Sequence, residues 1–130
     1  MDLETVTAEI TQVLITKEQI ETRIQELAKE IDAHYASKDV LLVGVLKGAV
    51  MFMADLSRAV QSRVQMDWMA VSSYGSGTTS SGVVRILKDL DADVLGKDVL
   101  IVEDIIDSGL TLSWLIANLE ARGAGSVEVV

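Results

Sequence analysis

The sequence predicts a three-layer α/β fold, a largely parallel β-sheet flanked by helices. Three observations lead there. Two continuous apolar runs of strand length, VLLVGVL at 40–46 and the start of DVLIVED at 98–104, read as strands buried on both faces, as a parallel sheet requires. Each is followed after a short polar loop by helical periodicity, first in VMFMADLSRAV and later from about Leu112 to Arg122. The 130 residues, 49% of them apolar, suffice for a single domain with one real core.

The elements follow in order along the chain. Ile20, Ile24, Leu27, Ala28 and Ile31 recur at helical spacing behind Thr16, and Gln19 three residues on completes a capping box. His34 and Tyr35 lie near the end of this helix, where a solvated or capping histidine is preferred to a catalytic one. After the strand at 40–46 and its helix, QMDWMAV alternates and reads as a further strand, with Trp68 assigned to the core. The polar stretch SSYGSGTTSSG at 72–82 is a flexible loop, read either as a lid or as a disordered turn. VVRIL is expected to pair antiparallel with QMDWMAV across that loop, and Arg85 on it is assigned a structural role. An acidic turn at DLDAD leads to DVLIVED, a helix, and a last strand in SVEVV.

Composition narrows the function. Cysteine is absent, so disulfides and thiolate metal sites are excluded, and the lone His34 cannot build a histidine zinc centre. Any metal must be held by oxygen. A net charge of −9 without basic clusters argues against nucleic acid and anionic membrane as partners and favours a small molecule. With no long apolar run and no export-like opening, a soluble, cytoplasmic protein is expected. The chain stops on a strand with no visible exit, which reads as an interruption and leaves an edge prone to dimerisation or aggregation.

Ligands of such sheets sit at the carboxyl ends of the strands. Two peculiar segments fall there, LKGA after the first strand and EDIIDSGLT after the fourth. Glu103 and Asp104 must mark where a buried strand emerges, since carboxylates inside it would cost several kcal/mol of desolvation. Such a pair suits a vicinal diol or a Mg²⁺ shared with ligand oxygens, although a solvated strand end is an equally plain reading. Ser108, Gly109 and Thr111 then supply hydroxyls and close-packed amides just before a helix, which makes a phosphate cradle. Asp107 between them is either a general base or a helix cap.

VLIVEDIIDSGLTL resembles the phosphoribosyl-pyrophosphate signature of the type I phosphoribosyltransferases, most closely that of the hypoxanthine-guanine phosphoribosyltransferases. The resemblance implies a Rossmann-like phosphoribosyltransferase core. It also implies that Glu103 and Asp104 engage ribose hydroxyls and magnesium, that Ile105 and Ile106 lie in the binding segment, and that Asp107, Ser108, Gly109, Leu110 and Thr111 hold the 5′-phosphate. Asp107 matches the acid assigned to proton transfer at purine N7, and Ser108 stands where many members carry threonine. Leu46, Lys47 and Gly48 resemble the family's pyrophosphate loop, whose leucine–lysine peptide is commonly cis. Ser73 and Tyr74 match the Ser–Tyr pair of its flexible catalytic loop, which closes over the reacting centre.

The implied reaction is Mg²⁺-dependent transfer of phosphoribosyl from phosphoribosyl pyrophosphate to hypoxanthine or guanine. A substrate carrying phosphate and pyrophosphate meets a protein of charge −9, so Lys47, the helix start and above all Mg²⁺ must reverse the sign locally. The resemblance runs from about Val13 to the last residue and stops short of the family's purine-recognition region. The chain is therefore expected to be C-terminally incomplete and to bind the ribose-phosphate side better than it selects a base. A phosphoribosyl-pyrophosphate-binding regulator, or an inactive fragment of the same fold, remains the alternative. A phosphoacceptor receiver domain has its acids and lysine in the wrong order, and no G-x-G-x-x-G follows a strand to support a dinucleotide fold. Members commonly form dimers or tetramers, so a homo-oligomer is expected.

Overall fold

A computed structural model describes residues 10–74 and 83–130. Helix α1 spans Lys17–Tyr35, followed by β1 (Val40–Val45), α2 (Val50–Ala59), β2 (Val64–Tyr74), β3 (Val83–Lys88), β4 (Asp98–Val102), α3 (Leu110–Ala121) and β5 (Ser126–Val129). The capping box forms as read: Thr16 Oγ1 accepts from the Gln19 amide at 3.2 Å, and Gln19 Oε1 accepts from the Thr16 amide at 2.8 Å. Ile24, Ala28, Ile31 and Tyr35 make the buried stripe of α1, whereas Ile20 in its first turn is exposed and lies outside the core.

The five strands lie in the order β3-β2-β1-β4-β5. β1 pairs parallel with β2 and β4, β4 pairs parallel with β5, and only β3 runs antiparallel. Central β1 is buried at every residue, because its two faces lie under different helical layers. Val40, Leu42, Leu100 and Val102 meet α1 and α2 on one face, while Leu41, Val43, Val99 and Ile101 meet Leu115 and Leu119 of α3 on the other. Alternation along each buried strand thus feeds two separate cores. Trp68 is half-buried against the α1–α2 core, as expected for a core residue.

Three boundaries differ from the sequence reading. β2 continues through Ser72, Ser73 and Tyr74, because β3 pairs with it there, Ser72 opposite Arg85 and Tyr74 opposite Val83. The antiparallel pairing accordingly falls on Ala70–Tyr74 rather than on all of QMDWMAV. Residues 72–74 of the loop expected at 72–82 belong to β2, and 75–82 lies outside the described residues. Finally, α3 starts at Leu110 rather than about Leu112, because Gly109 at φ 80° takes the cap position in the left-handed region that glycine tolerates. Among the described residues, no helix is long and apolar enough to cross a membrane.

Candidate active site

The chain builds β1, β2 and β3 toward one side of the sheet and then returns to lay β4 and β5 on the other. The order therefore reverses between β1 and β4, and in open α/β sheets the carboxyl ends of the strands at such a switch point border the ligand crevice. Both peculiar segments meet at this switch point. Gly44 of β1 lies opposite Val102 of β4, so Leu46–Gly48 and Glu103–Asp104 emerge side by side. Their contact is direct: a Cβ added at Gly48 would fall 2.7 Å from each carboxylate oxygen of Asp104.

The peptide joining Leu46 to Lys47 is cis. The Leu46 amide donates to Met69 O at 2.8 Å, which ties the entry of the loop to β2. Ala49 is fully buried, and its amide donates to Val45 O at 3.3 Å, while the exposed Lys47 accepts at its carbonyl from the Val50 amide at 3.2 Å. The loop is thus held by backbone, and Lys47 is exposed.

On the β4 side, the Glu103 amide donates to Val130 O at 3.1 Å and its Oε1 accepts from the Asp104 amide at 3.1 Å. Burial first, and then sharing a hydrogen bond with Asp104, pushes the Glu103 carboxyl up to about 7. Two adjacent carboxylates pressed together in this way make an all-oxygen donor pair that a hard divalent cation fits. No cluster of three or more potential metal-ligating side chains occurs among the described residues, so a Mg²⁺ here would complete its shell with water and ligand oxygens, as that ion commonly does.

Ile105, Ile106, Asp107 and Ser108 follow as an exposed turn, and Ser108 Oγ accepts from the Leu110 amide at 3.4 Å. Asp107 is not the helix cap, since that position belongs to Gly109. Leu110 is half exposed at the helix start, and Thr111 lies inside the first turn instead of before it.

The helix starts divide into two kinds. α1 has its full capping box. α2 and α3, which follow the two segments at the crevice, have N-cap residues, Ala49 and Gly109, that make no side-chain cap bond, and no acidic residue in their first turns; at α3 the long Ser108 bond is what the first amide meets. Their positive dipole ends are therefore not answered by a carboxylate of their own, which is the local arrangement that receives an anion. Ser73 and Tyr74 end β2, next to β1 in the sheet, and the remainder of that segment is outside the described residues.

Sequence reasoning passed over Asp67, whose side chain is 5% exposed. It accepts from the Asp91 and Ala92 amides at 2.9 and 2.8 Å, and from its neighbour Trp68 at 2.8 Å. The partners lie 24 and 25 residues away, and nothing in the local pattern of β2 announces them.

Comparison with known proteins agrees with this geometry. The model of the phosphoribosyl transferase domain family matches residues 12–130. The hypoxanthine-guanine phosphoribosyltransferase of Mycobacterium avium is 58% identical over 127 residues, covering 93% of this chain. This chain spans 63% of that relative's length. The Bacillus subtilis enzyme of the same name is 50% identical over 122 residues, with 94% of this chain and 68% of the relative covered. Among solved structures, a hypoxanthine phosphoribosyltransferase from Staphylococcus aureus superposes with a TM-score of 0.92 at 40% identity, over 97% of this chain and 68% of its own.

Proposed function

Because this chain belongs to the phosphoribosyl transferase family, we propose that the whole protein transfers the 5-phosphoribosyl group from phosphoribosyl pyrophosphate to hypoxanthine or guanine, giving IMP or GMP and pyrophosphate. The names of its relatives support that base class. The observation that carries the reading is the contact of Gly48, just before α2, with Asp104 at the β1–β4 switch point, on the same segment that runs on into the start of α3. A ligand with anionic groups at two ends and a diol between them matches such a receptor.

In this reading the backbone from Asp107 to Thr111 and the start of α3 hold the 5′-phosphate. Lys47, Gly48 and the start of α2 hold the pyrophosphate. Glu103 and Asp104 accept hydrogen bonds from the ribose hydroxyls and would hold Mg²⁺. When bound, that ion supplies positive charge against the departing pyrophosphate, which a protein of net charge −9 otherwise lacks. Asp107, exposed and uncommitted to the helix cap, holds or takes the proton at purine N7 as a base nitrogen attacks the anomeric carbon and the bond to pyrophosphate breaks. Ser73 and Tyr74 close over the reacting centre and exclude water.

We propose further that the protein works in the cytoplasm as a homo-oligomer, on small molecules rather than nucleic acid or membrane. The full-length protein, supplied with phosphoribosyl pyrophosphate, Mg²⁺ and either base, is expected to release pyrophosphate. Tight binding of phosphoribosyl pyrophosphate with no release for either base would move the protein to the regulator class. Absence of both binding and release would end the reading.

A further inference from the structure

We infer that Gly48 is a positioning residue for Asp104: the missing side chain lets the acid lie against the pyrophosphate loop, so that the two loops act as one receptor. The inference rests on the phosphoribosyltransferase reading for its functional half and on geometry alone for its structural half.

Gly48 is not one of the glycines with positive φ, which among the described residues are Gly96, Gly109 and Gly123. Its backbone would therefore accept alanine, and what the glycine provides is space. A Cβ at this position would meet Asp104 Oδ1 and Oδ2 at 2.7 Å each and Cγ at 3.0 Å. Rotating the carboxylate about its last bond moves its oxygens but leaves Cγ in place, 3.0 Å from the added Cβ, so the crowding persists. Either the loop withdraws or the whole Asp104 side chain swings away.

The loop is poorly able to withdraw. Leu46 is bonded to β2, Ala49 is fully buried and bonded back to β1, and Val50 is bonded to Lys47. Asp104 by contrast is exposed, and turning it into solvent breaks no hydrogen bond of its carboxylate among the described residues other than the one it shares with Glu103. The side chain is what moves. A methyl group at position 48 thus leaves the fold intact and separates Asp104 from the loop whose ligand it helps to hold.

Calorimetric titration of the full-length protein with phosphoribosyl pyrophosphate in Mg²⁺, on Gly48→Ala, Asp104→Asn and the double variant, tests this. Each single change is expected to weaken binding about tenfold or more, with the double variant scarcely weaker than the worse single one. Additive losses, or parental affinity in Gly48→Ala, would overturn the inference. A crystal structure of Gly48→Ala is read alongside, with Asp104 expected to be displaced; an undisplaced Asp104 refutes the positioning. If the parent itself binds nothing, the functional reading fails while this second readout still decides the structural half. Should Gly48→Ala not fold, the Gly48→Ala/Asp104→Ala variant must restore folding, and failure to do so refutes the clash.

Discussion

The Tyr35 hydroxyl donates to Glu128 Oε2 at 2.7 Å, joining the last residue of α1 to edge strand β5 across 93 positions of sequence. His34 Nε2 lies 2.7 Å from the same oxygen. Since the Glu103 amide is bonded to Val130 just beyond β5, this pair helps to hold the strand that flanks the acid pair.

Replacing Tyr35 with Phe removes one hydrogen bond to a part-exposed carboxylate that water can reach, and should cost about 1 kcal/mol. Burial first, and the Glu128 carboxylate second, push the Tyr35 phenol well above its ordinary value of 10.0. The folded protein keeps this proton where the unfolded chain loses it, so the contribution is complete below pH 10.0 and declines as pH rises beyond it. Urea unfolding at neutral and at alkaline pH should show the advantage over Tyr35→Phe shrinking above 10.0.

Asp32 near the end of α1 accepts from the Gln61 amide at both oxygens, and from the Ser62 amide and hydroxyl at 2.8 and 2.7 Å. Burial raises its carboxyl, but these bonds outweigh that effect and leave it below its ordinary 3.8. The stabilisation is therefore present above pH 3.8 and is lost as pH falls through the lower folded value. Asp32→Ala should cost about 1–2 kcal/mol at neutral pH in chemical denaturation, with the difference from the parent vanishing in strong acid.

Asp67→Ala should cost about 3 kcal/mol, because it leaves the Asp91 and Ala92 amides without their acceptor. Hydrogen exchange at those two amides should rise by more than exchange in β1, which keeps all its strand partners. Uniform acceleration across the sheet would mean that Asp67 stabilises the whole domain rather than this turn.

The buried strands were legible because VLLVGV and DVLIV are apolar at nearly every position, a pattern that only two-sided burial explains. The capping box was legible because it is a bond between residues three apart. Simple alternation fails in β2, where Asp67 is buried and Met66 is 51% exposed. The reason is long-range: the turn at 89–93 folds over Asp67 and supplies its donors from outside the strand. At the candidate site, motif and resemblance pointed to Lys47, Glu103, Asp104 and Asp107, but nothing in the order of letters placed Gly48 against Asp104. That contact depends on β1 and β4 being neighbours, a property of topology.

Asp107 offers the sharpest separation of chemistry from stability. It is exposed, and the helix cap beside it is Gly109, so Asp107→Asn should leave the unfolding transition within about 0.5 kcal/mol of the parent. A group that handles the proton at a reacting purine should by contrast be worth about 10²–10⁴-fold in turnover. Steady-state kinetics on the full-length protein should accordingly show kcat falling by that factor while KM for phosphoribosyl pyrophosphate changes little, because the proposed function gives the phosphate to the backbone and the helix start. A variant that loses affinity in parallel with kcat would instead make Asp107 part of the phosphate cradle, and one that turns over normally would remove it from the chemistry altogether.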